Sequence, residues 1–367
     1  DCLPMSWSLQ QDAALSEVAR WLQAGTPQVF RLFGYAGTGK TTLARHIAEA
    51  VDGDVVFAAY TGKAALVLRN KGCGEAQTIH SLIYRSRGVD EESPTFVINR
   101  ESNAAKAKLI VIDECSMVDE ELGRDLLSFG TPVLVLGDPA QLPPVKGGGF
   151  FTEQESDVML TEVHRQAADN PIVRMSMTVR EGGRLDYGDY GPSRVIRRAE
   201  VNPEIVMAAD QVLVGMNKTR RGYNARIRQL MGRTETNPVA GEKLVCLRND
   251  KSKGLLNGGS WIVQEIKTSK KGLVTMRVTP EDDTGARAVK VSVLPNFFDG
   301  TEEEIPWELR KHTDEFTFGY ALTVHKAQGS QWDDVVLFDE SFAFREHRAR
   351  WLYTGLTRAA ETITVVM

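Results

Sequence analysis

Several things are scarce in this sequence, and each scarcity removes a class of protein. Cysteine is rare: Cys2, Cys73, Cys115 and Cys246 are scattered along 367 residues. None forms a CxxC pair and no histidine stands at zinc-like spacing from them, so neither a disulfide scaffold nor a zinc module is expected. Free thiols in a reducing compartment, the cytoplasm, are the expectation. No apolar run approaches the ~20 residues that a membrane-spanning helix needs. Asp1–Trp7 carries no basic start followed by an apolar stretch, so no secretory signal is expected. Positive charge is not in excess either: 44 Lys and Arg stand against 49 Asp and Glu, a net charge of −5. A protein that coats nucleic acid is usually basic. A protein that grips a few nucleotides in one groove need not be, because local charge decides there. Arg220, Arg221, Arg226, Arg228 and Arg233 form a basic stretch and Glu302, Glu303 and Glu304 an acidic one; each reads as a solvated face.

What is present is the alternation of apolar strands with helices that marks a parallel sheet wrapped by helices. Val29–Phe33 reads as a strand, Lys40–Val51 as its following helix, and Val55–Ala59, Leu109–Ile112 and Val133–Leu136 as further strands. Their all-apolar runs suit strands covered on both faces. Between Ile79 and Lys108 the pattern weakens into a polar, acidic piece (Arg87–Pro94) and a β-rich one (Thr95–Ile98), a small insertion. A second α/β unit begins with the strand Gln211–Val214 and the helix Asn217–Met231. It is interrupted near Gly241 by short strands with Gly-rich turns, at Lys243–Leu247, Ser260–Ile266, Leu273–Val278 and Ala288–Val293. The α/β pattern is expected to resume at Phe318–Val324 and to run through Val335–Phe338 and Thr362–Val366. No short-period repeat or low-complexity tract occurs.

Chemistry concentrates after the first strands. Gly34, Tyr35, Ala36, Gly37, Thr38, Gly39, Lys40 and Thr41 satisfy GxxxxGK[ST] between a strand and a helix, the context that confirms a phosphate-binding loop. Glycines let backbone N–H groups close on phosphate oxygens, and the helix N-terminus adds partial positive charge. Lys40 is placed to reach the β and γ phosphates, and Thr41 offers a hydroxyl to Mg²⁺. The strand ending Val111-Ile112-Asp113-Glu114 delivers two carboxylates to the same end of the sheet, Asp113 for Mg²⁺ and Glu114 to orient and deprotonate the attacking water. After the next strand comes Gly137-Asp138-Pro139-Ala140-Gln141-Leu142-Pro143-Pro144, in which Gln141 is a candidate γ-phosphate sensor.

In this order the motifs resemble those of superfamily 1 helicases, specifically the RecD/Dda branch, over nearly the whole chain from about Trp7 to Val366. Gln11, within Trp7–Ala14, matches the glutamine that reads adenine, with Gln10 the lesser candidate. The matching DNA-contacting segments are Tyr60-Thr61-Gly62-Lys63-Ala64-Ala65 and Thr78-Ile79-His80-Ser81-Leu82. Leu160-Thr161-Glu162-Val163-His164-Arg165 resembles the segment whose arginine reaches the γ-phosphate. Leu322-Thr323-Val324-His325-Lys326-Ala327-Gln328-Gly329-Ser330 is similar to a late motif that touches both DNA and nucleotide. Tyr353-Thr354-Gly355-Leu356-Thr357-Arg358-Ala359 is similar to the final one, with Arg358 as second arginine.

The resemblance implies two RecA-like P-loop NTPase domains, parallel sheets flanked by helices, with a small β-barrel-like (SH3-like) insert in the second. The domains would be 1–165, with its insertion at about 79–108, then 166–240 together with 312–367, and the insert at 241–311. It further implies an ATP-dependent motor that translocates on single-stranded DNA, 5′ to 3′, and unwinds duplex. Lys40, Glu114, Gln141, Arg165 and Arg358 would be catalytic. Gln11, Gly34, Gly37, Thr38, Gly39, Lys40, Thr41, Thr42 and Gly329 would hold ATP, and Thr41 and Asp113 would hold Mg²⁺. Thr61, Lys63, His80, Thr323, His325 and Lys326 would contact DNA. The insertion near Phe96 would split the duplex, and the insert would lie over the DNA groove.

Implied partners are single-stranded DNA and junctions of single- with double-stranded DNA, in the company of a single-strand-binding protein or of replication and recombination proteins. The implied setting is bacterial or phage-infected cytoplasm. Two departures stand out. Tyr60 replaces a usual proline, either to stack on a base or as core, and Gln331 replaces an acid that meets the ribose. Other readings of the same residues are a strand-stimulated remodeller that does not unwind, a P-loop small-molecule kinase, and a motor on RNA.

Overall fold

The first strands are apolar on both faces, and such strands bury themselves only in a sheet covered by helices on each side. In the computed structural model, which describes residues 6–87, 94–268, 271–283 and 285–367, they form a six-stranded parallel sheet. Its order is Gln77–Thr78, Val55–Ala59, Leu109–Asp113, Val133–Gly137, Val29–Gly34 and Val158–Leu160. Register pairs Phe33 with Gly137 and Ala59 with Asp113, so the strand ends that carry the motifs finish level at one edge. The helix Leu9–Ala24 packs on this sheet. Ser8 caps it by accepting from the Gln11 backbone, while the Gln11 side chain returns to the Ser8 N–H, a reciprocal capping box. Cys2 lies outside the described residues, as does most of the polar part of the expected insertion. The β-rich part of that insertion is an antiparallel hairpin of Tyr84–Arg87 with Thr95–Ile98.

The second sheet also has six strands. Its order is Ala321–Thr323, Gln211–Val214, Trp332–Phe338, Ala359–Val366, Ser193–Ile196 and Gly188–Tyr190, parallel except for the last pair. The helix Arg348–Leu356 covers it on the side facing the first sheet, with Trp351, Tyr353 and Leu356 buried.

The third sheet is antiparallel: Val289–Val293, Val274–Pro280, Ser260–Thr268, Lys243–Cys246 and Phe316–Phe318. A bulge between Val263 and Glu265 bends it. An isolated bridge from Val293 to Asp314 brings its two edges together. Phe318, where the sequence suggested a return to the α/β unit, is the last residue of a strand in this third sheet. A three-residue aromatic strand has no local signal to say which sheet it joins. Phe316 and Phe318 go where Trp261, Phe298 and Leu244 give them a core.

The basic helix is not the solvated face that its composition suggested. Arg221 pairs with Glu302 at 2.5 Å, so the basic and acidic runs answer each other. Arg228 is buried, donating to both Glu242 carboxylate oxygens at 2.7 and 2.9 Å with its guanidinium over the Phe318 ring. Glu242 is fully buried. Removing one partner of a buried pair strands the other charge, which typically costs about 3–5 kcal/mol. Glu242→Ala is therefore expected to lower the urea midpoint strongly, whereas Glu303→Ala on the exposed run should leave it unchanged. Equal midpoints would show that the pair contributes nothing to stability.

Candidate active site

Three strand ends of the first sheet converge on one point. After Val29–Gly34 the chain enters the phosphate loop with Gly37 and Gly39 at φ +79° and +86°, left-handed values that favour glycine. A Cβ at Gly39 would meet the Gln11 side chain at 2.7 Å, so this glycine also makes room for the glutamine. Gln11 is nearly fully buried and donates through Nε2 to Thr38 O at 3.2 Å. Gln10 instead accepts from the Thr161 and Glu162 N–H groups at 2.9 Å, tying the helix to the next segment. Thr38 is buried, its hydroxyl donating to Tyr35 O. The Lys40 ammonium donates to Gly34 O at 2.5 Å and Tyr35 O at 3.1 Å, folded over its own loop.

A cavity of about 530 Å³ opens against this loop, lined by Gly37, Gly39, Lys40, Thr41 and Thr42 together with Asp113, Glu114, Asp138 and Gln141. Trp7, Gln11, Lys71, His164, Gln166, Gln331 and Thr357 line it as well. Burial, and then the neighbouring Glu114 carboxylate, push the Asp113 carboxyl above the usual range, while Lys71 and Lys40 pull it back. Burial likewise raises Asp138. A dehydrated carboxylate and a threonine hydroxyl lining one cavity make a site that gains from a cation. One carboxylate and one hydroxyl, completed by phosphate oxygens and water, is a donor set that suits Mg²⁺.

Glu114 has φ +52°, a strained backbone for a residue with a Cβ. Its carboxylate faces Arg358 of the second lobe, whose Nη1 and Nη2 lie 3.3 and 3.4 Å from the Glu114 oxygens. Arg358 is fully buried and also donates to Ser330 O at 2.8 Å, Thr354 O at 3.1 Å and Thr357 Oγ1 at 3.2 Å. Arg358 is not itself among the cavity-lining residues and meets the cavity only through Glu114. A lining carboxylate paired with a buried arginine thus stands on the same cavity as the phosphate loop, an arrangement that suits binding a nucleoside triphosphate and cleaving it.

Not every expected residue is there. Arg165 is exposed at the start of the four-residue helix Arg165–Ala168 and is not among the cavity-lining residues, although its neighbours His164 and Gln166 are. Gly329 is also outside the lining. Its φ is +79°, and a Cβ there would press on Met117 and Tyr60 at the seam between the lobes. Gly34 serves packing, since a Cβ would meet Thr38 Oγ1 at 2.5 Å and Leu160 Cβ at 2.9 Å. Tyr60 is core: it is 1% exposed, with its hydroxyl 3.2 Å from Asn249 Oδ1 and 3.1 Å from Asn257 O. Sequence reasoning did not single out Trp7 or Lys71. Trp7 stands in the quoted N-terminal motif, while Lys71, just beyond the helix Gly62–Asn70, carries no motif signal.

Of the six candidate DNA contacts, Thr61, Lys63, His80 and Lys326 bond across the seams between sheets, whereas Thr323 and His325 make their contacts within the second lobe. Thr61 is buried and donates to Gly329 O at 2.8 Å while accepting from Ser330 Oγ. Lys63 pairs with Glu281 at 3.4 Å. His80 Nε2 lies 2.9 Å from Lys251 O, its ring edge-on to Phe96, and burial lowers its pKa. Thr323 Oγ1 accepts from Lys326 N, and His325 packs on Phe344. Lys326 Nζ donates to Asn257 Oδ1 at 2.7 Å, and burial lowers its pKa.

The sequence model of the AAA domain family matches residues 8–198, and that of the UvrD-like helicase C-terminal domain matches residues 318–366. The chain is 29% identical to the ATP-dependent RecD2 DNA helicase of Deinococcus radiodurans, over 90% of this chain and 46% of that protein. It is 32% identical to the ATP-dependent DNA helicase dda of Enterobacteria phage T4, over 58% of this chain and 54% of that one. The chain thus spans about half the length of these curated relatives. Among solved structures, a study of DNA unwinding at forked double-stranded DNA by two coordinating Pif1 helicases contains a chain that superposes with a TM-score of 0.48 and 17% identity. That superposition covers 98% of this chain and 92% of the other.

Proposed function

The chain belongs to the superfamily 1 helicases of the RecD, Dda and Pif1 type, and from that premise we propose that it is an ATP-driven motor that moves 5′ to 3′ along single-stranded DNA and separates duplex. The observation that carries this reading is the contact between Glu114, which lines the cavity, and Arg358 of the second lobe. A P-loop alone binds a nucleotide. A buried arginine supplied to that site by a second lobe ties the chemistry to the relative position of two bodies.

On this reading Gln11 meets the base, the loop from Gly34 to Thr42 cradles the phosphates, and Thr41 and Asp113 hold Mg²⁺, which would neutralise phosphate charge. Glu114 takes a proton from the attacking water. To do so it must exchange Arg358 for that water, and a γ-phosphate offers Arg358 a replacement anion. Formation of the catalytic cleft and release of the interlobe pair are then one event. Arg165 would have to swing inward to join it. Strand contacts fall to Thr61, Lys63 and His80 on the first lobe and to Thr323, His325 and Lys326 on the second. The third sheet, read as an SH3-like barrel, lies over them, and the Phe96 hairpin serves as the splitting edge. Single-strand-binding, replication or recombination proteins as partners, and a cytoplasmic location, belong to the same reading.

Duplexes with either a 5′ or a 3′ single-stranded tail provide the test. With ATP and Mg²⁺, the 5′-tailed substrate should open and the 3′-tailed one should not. Opening of neither, with strand-stimulated ATP hydrolysis intact, would reduce the protein to a remodeller. Preference for the 3′ tail would reverse the assigned direction.

A further inference from the structure

The helix Arg348–Leu356 lays three side chains at i, i+3 and i+4 on the first lobe, the spacing that puts residues on one helix face. All three engage the loop after the strand Val133–Gly137. Arg350 Nη1 donates to Pro139 O at 2.9 Å and Gln141 O at 3.0 Å. Thr354 Oγ1 accepts from Leu142 N at 2.8 Å. Tyr353 does more. Its hydroxyl donates to Asp138 Oδ2 at 2.6 Å and accepts from the backbone N–H of Ala36, inside the phosphate loop, at 2.8 Å. Both capacities of one hydroxyl are used, on two separate parts of the nucleotide cavity, by a residue from the opposite lobe that is 1% exposed.

We infer that Tyr353 is a positioning residue for hydrolysis, one that sets the offset between the phosphate loop, Gln141 and Arg358. The inference rests on the ATPase reading of the site. Asp138 is the intermediary: its second oxygen, Oδ1, accepts from Ala140 N at 3.0 Å, shaping the turn that presents Gln141 to the cavity. Arg358 follows Tyr353 by five residues and is tied to the same helix by its Nε bond to Thr354 O. Arg350 and Thr354 hold only the backbone of the loop. Tyr353 alone reaches a carboxylate of the loop and an amide of the phosphate loop together. A buried phenol between two such partners admits little displacement, because leaving either donor or acceptor unpaired is costly.

The test is steady-state ATP hydrolysis by Tyr353→Phe, measured without DNA, alongside thermal unfolding. Loss of the hydroxyl leaves the ring in its core, so folding should be kept. Misplacement of catalytic groups by about 1 Å can cost of the order of 100-fold, so kcat should fall roughly 10- to 100-fold with KM for ATP within threefold. Asp138→Ala and the double variant complete a cycle. The double should be no slower than the slower single, since both break one link, and Asp138→Asn, which keeps an acceptor oxygen, should retain more activity than Asp138→Ala.

A kcat within twofold of the native value overturns the inference. So do strictly multiplicative losses in the cycle, and so does a loss expressed only as a rise in KM, which marks a mere brace. Some fall in melting temperature is expected in any case from the two groups left unpaired. Because the rate is read without DNA, a native chain whose hydrolysis single strands fail to stimulate would sink the motor reading and leave the positioning role of Tyr353 standing.

Discussion

Replacing Arg358 by alanine should lower ATP hydrolysis by roughly 10³–10⁵-fold, the range for loss of an arginine that meets transition-state charge. The side chain is fully buried, and Ser330 O, Thr354 O and Thr357 Oγ1 hold its guanidinium in a fixed orientation toward Glu114. Lysine should not rescue it. A single ammonium cannot satisfy three acceptors set around a planar fork and still reach Glu114 or a phosphate. Phosphate release under single turnover is the measurement, with the melting transition as a check that both lobes remain folded. Residual activity within tenfold of native would remove Arg358 from the chemistry and leave it as a clasp between lobes.

Glu114→Gln isolates the other half of that pair. The expected loss is roughly 10²–10⁴-fold in hydrolysis, the usual contribution of a positioned general base, with nucleotide affinity changed only a few-fold because the phosphate loop is untouched. Glutamine keeps an oxygen toward Arg358, and the guanidinium retains its other acceptors, so the fold should hold. Titration with a fluorescent ATP analogue and phosphate-release assays separate binding from cleavage. A variant that neither binds nor cleaves would mean that Glu114 shapes the site, since a base contributes only after binding.

Much of this site was legible because its signals are local. The eight residues from Gly34 to Thr41 announce a loop whose geometry needs those glycines, and Asp113 and Glu114 close an apolar strand whose neighbours in the sheet follow from alternation of strands and helices. What the sequence did not disclose depends on pairing across long separations. Nothing near Arg358 indicates that it faces Glu114, 244 residues away, and nothing near Arg221 points to Glu302. Phe316–Phe318 joined the antiparallel sheet because aromatic partners were there, a tertiary preference invisible in three residues. Tyr60 stood open between stacking on a base and core, and burial against Asn249 and Asn257 decided for core. Arg165 was placed by its motif, yet a four-residue helix leaves its side chain in solvent.

The third sheet is spliced into the second lobe, but its contacts with the first are of a particular kind. Lys63 meets Glu281, His80 meets a backbone oxygen of Lys251, Asn249 donates to Asp119, and Lys251 reaches Glu121 and Asp125. These bonds are polar, and the more exposed pairs, such as Lys251 with Glu121, contribute little each, whereas Lys63–Glu281 and His80 are largely buried. Apolar contact is present too: Phe96 meets Gly254, and Leu256 packs at the edge of the first lobe's core, where the buried Tyr60 hydroxyl reaches Asn249 and Asn257. On the proposed motor reading, such a polar seam with only a small apolar contact would let the bodies shift without opening either main core.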